Sequence, residues 1–148
     1  MGERLKTQDK LKCWECRPGE VLLCPLCSQV PDSHDHLFFA CSFSASVWSM
    51  ATKHVDFPII ANGWKDIYLL LSPFATRKLA KITIIKLIYG ASVYIIWQER
   101  NKGLFKKGRR SAKQVYEVIY LTVRMKLMSL KWKMSASVLR LKSDWKIS

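Results

Sequence analysis

Near the N-terminal end, four residues offer a complete donor set for one metal ion: Cys24-x2-Cys27-x8-His36-x4-Cys41. Three thiolates and one imidazole fill a tetrahedral shell, and a filled shell has no position for a reactive water, so the expected chemistry is structural zinc binding, not catalysis. A CxxC pair lets two sulfurs of one tight turn meet the same ion, and the distant His/Cys pair clamps a second segment onto that turn. One imidazole in the set, with no further cysteine cluster beside it, favours zinc over an iron–sulfur centre. Spacing leaves rivals open. His34 offers the same donor type two residues before His36, and on a helix the two rings point to different sides. Cys13-x2-Cys16 with Cys24-x2-Cys27 makes a four-thiolate set, but its seven-residue spacer is short for a zinc ribbon and it leaves His36 and Cys41 idle. Without a metal, the five thiols would be small buried hydrophobes.

A second group is cationic. Arg100, Lys102, Lys106, Lys107, Arg109, Arg110 and Lys113 place seven positive charges in fourteen residues, with Phe105 among them as a ring on which a base can stack. A solvated interhelical loop and a nuclear import signal have the same composition. Residues 1–76 carry seven Lys and Arg against eight Asp and Glu, a net of −1, whereas residues 77–148 carry eighteen against three, a net of +15 within a total of +14. Such asymmetry points to a polyanion met by the second half, nucleic acid first, with an anionic membrane surface as the lesser partner suggested by Trp132 and Trp145 among lysines. Hydrolytic chemistry lacks parts: two of the three histidines, His34 and His36, fall in the metal element, and His54 follows Lys53 as a surface residue. Gly103 and Gly108 have no GK[ST] sequel that would make a phosphate loop. No enzyme activity and no small-molecule substrate are expected.

These groups need elements to hold them. The sequence predicts a mainly α chain, with a small N-terminal zinc knuckle followed by two or three long helices: residues 1–56 form the zinc-binding module, 57–76 a loop-rich linker and 77–148 a basic helical region. Residues 20–27 read as a short strand entering a tight turn at Pro25, and Asp32 or Ser33 can cap a helical run from His34 to Trp48, continuous or broken at Cys41-Ser42. Pro58, Asn62-Gly63 and Ser72-Pro73 mark loops around Ile67–Leu71. Arg77–Asn101 reads as a long helix; its apolar stretch Leu79–Trp97 is about as long as a bilayer crossing, but Lys81 and Lys86 interrupt it and a buried helix is expected. The last helix is expected from Ser111 to Met134, with Tyr116, Ile119, Tyr120, Val123, Leu127, Leu130 and Met134 on one face, and a short helix follows Ser135. Met1–Lys6 has no apolar core of a secretory signal, so an intracellular location is expected, with the nucleus as one option, and the cysteines are expected as thiolates and not as disulfides.

Cys24-Pro-Leu-Cys27, the run Asp32-Ser-His-Asp-His-Leu-Phe-Phe-Ala-Cys41-Ser-Phe-Ser44 and Val47-Trp48 resemble the zinc-binding region of plant-type non-LTR retrotransposon reverse transcriptases. Thr7-x-Asp9-x-Leu11 is similar to the segment before that knuckle, and Ile96-Trp-Gln-Glu-Arg-Asn101 with Phe105 to a WxERNxxxF stretch after it. The resemblance implies His36, which precedes Leu37, as the ligand in place of His34, one structural Zn2+, and an accessory role beside a polymerase. Cys13 and Cys16 depart from it, standing where a Trp-containing polar segment is usual. The polymerase's paired aspartates are absent, so the chain is expected to be a C-terminal fragment: a non-catalytic accessory binding RNA or DNA. The alternatives are a protein-interaction module whose Leu79–Trp97 helix docks on the missing polymerase, and a decayed element copy without selected function.

Overall fold

The computed structural model describes residues 23–54, 72, 80–104 and 110–147, and among them the protein is mainly helical, with no strand beyond a single antiparallel bridge between Leu23 and Pro31. Among the described residues, four α-helices follow a metal-loop segment: α1 (Ser42–Ala51), α2 (Ala80–Leu104), α3 (Ala112–Ser129) and α4 (Ala136–Asp144). Thr7, Asp9, Leu11, Cys13, Cys16 and, Ser72 apart, the expected linker 57–76 lie outside the described residues.

Helix α2 contains Ile82-Thr83-Ile84-Ile85, a β-branched run of modest helix propensity. Tertiary burial overrides it: Ile82, Ile84, Ile85, Ile88, Val93, Ile95 and Ile96 are all buried. By length and composition Ala80–Lys102 could cross a bilayer. Here it is the central core helix, covered by α1 and α3. Val115, Ile119, Val123 and Leu127 recur every fourth residue and present one stripe of α3 to that core. Trp48 on α1 stacks on Tyr89 of α2 with ring centroids 5.9 Å apart. Buried side chains of the metal loop and of α1, α2, α3 and the end of α4 thus share one hydrophobic cluster.

Helix α3 starts on a capping box, in which Gln114 N–H donates to Ser111 Oγ (3.2 Å) and Ser111 N–H donates to Gln114 Oε1 (2.9 Å). It ends earlier than the expected Met134. Leu130 turns extended (φ −81°, ψ 141°), Trp132 Nε1 donates to the Leu127 carbonyl (3.0 Å), and Ser135 Oγ accepts from Val138 N–H to start α4. Met134 is therefore exposed between two helices instead of lying on the core face. The physical reason is local: a ring N–H satisfies one of the orphan carbonyls at the end of α3, while serine supplies a competing N-cap. Trp145, 2% exposed, then stacks on Tyr120 at 5.0 Å, and Arg124 donates to the Trp145 and Lys146 carbonyls. These last bonds hold Lys146 in the left-handed region (φ 52°), an unfavourable place for a side chain but a usual one for closing a helix.

Two helix positions give opposite expected signs. Gly90 is exposed in mid-α2, and a Cβ there would meet nothing within 4 Å, so Gly90→Ala should stabilise the fold by about 0.5–1 kcal/mol. Ser111→Ala removes the α3 cap and should cost about 1 kcal/mol. Urea midpoints at unchanged m-value read both.

Candidate metal centre

The segment from Leu23 to Cys41 has little regular structure, and its own polar groups define its path. Ser28 N–H donates to the Cys24 carbonyl (2.8 Å) and Cys24 N–H to the Val30 carbonyl (2.8 Å), closing a tight turn around Pro25-Leu26. Ser28 takes a left-handed conformation (φ 57°) at the end of that turn. Ser33 Oγ then accepts from His36 N–H (3.2 Å), which fits the expected cap. The helical run from His34 is broken at Cys41 (φ −70°, ψ 130°), as one of the two expected forms has it: a π-helical turn over His36–Ala40 precedes α1. Such turns re-aim side chains relative to an α-helix, and this one brings His36 and Cys41 to the same point as the CxxC turn.

The ligand atoms of Cys24, Cys27, His36 and Cys41 all lie within 4.8 Å of one another. Cys27 Sγ is 3.2 Å from His36 Nε2. A tetrahedron with Zn–S near 2.3 Å and Zn–N near 2.0 Å has edges of about 3.5–3.8 Å, so the spread fits one ion at the centre. Cys24, His36 and Cys41 are buried and Cys27 is half-buried. The thiols are free, not disulfide-bonded. Within the cluster the Cys41 thiol is lowered to about 5, first by the hydrogen bond with Cys24 and, against its burial, by the N–H groups of Ser44 and Phe43. Cys24 is raised, first by that same shared bond and then by burial, while the Cys27 and Leu26 amides pull the other way. Amide donors aimed at sulfur prepare these groups to carry thiolate charge next to a cation.

His34 has a different job. It is buried, with its ring 6.3 Å from Trp97 and 6.4 Å from Phe38, so the imidazole two residues before the ligand packs the metal loop onto α2. Beside it Asp32, read from sequence as a helix cap, forms a buried ion pair with Arg100 of α2, their side chains 0% and 1% exposed. Arg100 also lies over the Trp97 ring (4.9 Å) and donates to Asn101 Oδ1 (3.0 Å). A guanidinium so enclosed cannot reach a phosphate, and Arg100 leaves the set of residues expected to contact nucleic acid. Lys102 and Arg110 remain partly exposed, but both are paired with Glu99, at 3.1 and 3.4 Å. Lys113 is exposed; Phe105, Lys106, Lys107 and Arg109 lie outside the described residues. Asp32, Glu99 and the Trp97/His34 contact are the residues that sequence reasoning missed. One signal was available: Glu99 is one of only three acids in residues 77–148, and it stands next to an arginine at the end of an otherwise apolar helix.

Purified protein should hold one zinc per chain. Cys27→Ala or His36→Ala should release it, because three donors do not close a structural shell. His34→Ala should keep the metal yet lose about 1–3 kcal/mol of stability through lost packing. Metal content by atomic emission beside a thermal melt separates the two roles; zinc loss in His34→Ala alone would reverse the ligand assignment.

Residues 1–48 match the family described as zinc-binding in reverse transcriptase, and all four donors fall within that span. The family is an accessory zinc-binding domain, not a catalytic one. No curated protein and no solved structure matches the chain. The Cys3His cluster and the family match together identify the N-terminal end of this chain as a reverse-transcriptase zinc-binding region built for one structural zinc ion.

Proposed function

We propose that the chain is a non-catalytic accessory region of a retroelement reverse transcriptase, which binds RNA or DNA through its basic C-terminal half. The observation that carries this reading is the charge split, a net of +15 over residues 77–148 against −1 over 1–76. In the described part of that half, Lys113, Lys126, Lys131, Lys133, Arg140 and Lys146 are exposed. An exposed surplus of this size favours a polyanion through counterion release, with weak sequence selectivity. Free thiols in the metal cluster suit an intracellular setting, where zinc and not disulfide formation claims them. The docking alternative required an apolar face on Leu79–Trp97. Ile88, Val93, Ile95 and Ile96 are buried in the hydrophobic cluster and Leu87 is half-buried, which favours the nucleic-acid reading over that one.

Filter binding of single-stranded RNA and DNA across a salt series tests the reading. With about five phosphates neutralised, log K should fall against log salt with a slope of roughly −3.5 for single strands and −4.5 for duplex. Replacing Lys106, Lys107 and Arg109 by Ala should flatten the single-strand slope by about 2 while zinc content stays at one. Phe105→Ala should weaken single-strand binding by about 1–3 kcal/mol with the slope unchanged. Tight binding to anionic vesicles with no retention on either nucleic acid at about 0.1 M salt would replace this reading with a membrane-surface one.

A further inference from the structure

Helix α3 is apolar on two sides. Val115, Ile119, Val123 and Leu127 are buried in the core. Val118, Leu121, Met125 and Met128 form a second stripe, and at 3.6 residues per turn its mean direction lies roughly 160° from the first. Leu121, Met125 and Met128 are 52%, 69% and 53% exposed, and none of them joins the hydrophobic cluster of the described residues, while Val118 is half-buried at the edge of the stripe. Single exposed apolar side chains are ordinary on a protein surface, but a line of them on one helix face is not, and the buried stripe alone suffices to hold α3 in this fold. The 3-4-3 spacing of 118, 121, 125 and 128 is that of a coiled-coil seam, one side chain wide. Its flanks are polar: Glu117, Thr122 and Ser129 are exposed and Arg124 is half-buried. The Thr122 and Ser129 hydroxyls donate to the Val118 and Lys126 carbonyls of the same helix, so neither needs a partner from outside.

We propose that this outer face of α3 docks an acidic amphipathic helix of a partner protein. The width of the stripe argues for a helix, since a membrane-bound helix sinks a broad apolar face among lipid chains and this one is bounded by polar residues on both sides. Charge gives the sign of the partner. Residues 112–134, α3 and the segment after it, hold five Lys and Arg with Glu117 as their only acid, and Lys113, Lys126, Lys131 and Lys133 are exposed. A second copy of this chain would set the same cationic surplus against itself, whereas a helix with Asp and Glu beside its apolar seam meets opposite charge. The flexible thioethers of Met125 and Met128 adapt to the side chains of such a helix. The face is also preformed: a capping box fixes the start of α3, and Arg124, donating to the Trp145 and Lys146 carbonyls, ties its later turns to the end of α4. A surface held in this way loses little conformational entropy on binding. The docking is separate from the nucleic-acid binding proposed above and does not rest on it.

The probe is a fluorescent peptide of about three heptads with Leu at its seam positions and Glu beside them, titrated with the zinc-loaded chain at about 0.1 M salt. A scrambled peptide of the same composition carries the same charge without the stripe, and should bind about tenfold more weakly or worse. Leu121→Gln combined with Met125→Gln removes the seam at exposed positions without changing charge or helix propensity much, and should weaken binding of the heptad peptide by about tenfold or more. Met134→Gln combined with Leu139→Gln, also at exposed apolar positions but off the stripe, should bind it like the unaltered chain. Zinc content and the thermal midpoint, unchanged in both variants, show that the fold is kept. Equal binding of the scrambled and heptad peptides reduces the effect to charge and overturns the proposal. So does a seam variant that binds as the unaltered chain does, or no binding by the unaltered chain up to about 0.1 mM peptide. Sedimentation that finds a dimer dissolved by the seam variant gives the face to a second copy instead. Phosphatidylserine vesicles bound by the unaltered chain and released by the seam variant give it to a membrane, and either result overturns the acidic-helix assignment.

Discussion

Between Leu23 and Cys41 the backbone has one isolated bridge, one tight turn and one π-helical turn to hold it, which is little to set against the conformational entropy of so long a stretch. What closes it is the meeting of four donor side chains at one point. A divalent ion there supplies folding free energy directly, since the unfolded chain has no preformed site. The packing of the segment from Leu23 to Trp48 depends on that closure. Phe38 and Leu37 enter the core from the π-helical turn that carries His36, and Trp48 Nε1 of α1 donates to the Phe38 carbonyl at 3.2 Å. A chain that failed to bring the four donors together would also fail to present the apolar side chains lying between them.

Closure alone does not attach the loop to the helices. That attachment is polar as well as apolar, and it is made at the C-terminal end of α2. Trp97 and Arg100, one helical turn apart, share a face, so the ring can lie against His34 while the guanidinium covers the ring and pairs with Asp32. Breaking such a pair by removing one partner typically costs about 3–5 kcal/mol, whereas the intact pair contributes little net stability. The pair therefore penalises any docking of the metal loop that leaves Asp32 or Arg100 buried without the other.

The metal ligands were legible because chemistry restricts them to few residue types at few spacings, and a CxxC pair is rarely accidental. The choice between His34 and His36 was not legible from spacing, since it depends on a π-helical turn that no periodicity announces. That the helix from Ala80 to Trp97 is a core helix could be read from the length of its apolar run and its interrupting lysines. The end of α3 could not, because Leu130 and Met134 continue the apolar pattern past the point where Trp132 and Ser135 stop the helix. Composition misled at Arg100. Counting charges along the sequence assigns it to the basic segment, while its partner Asp32 lies 68 residues away and appears only once the chain has folded.

Net positive charge concentrated in one half opposes its own compaction, and the placement of the three acids in that half bears on how this is managed. Glu117 is exposed on α3 and Asp144 is exposed at the end of α4, where neither has low-dielectric surroundings to strengthen its field. Glu99 alone is buried, and there its charge acts on Lys102 and Arg110 with less screening than at the surface. Arg100 next to it is already neutralised by Asp32, so the carboxylate is free to serve the segment ahead of it. The remaining cations, Lys113 through Lys146, have no comparable counter-charge among the described acids. Their repulsion is relieved by salt in the free protein, and more completely by a polymer whose phosphates release their own counterions on contact.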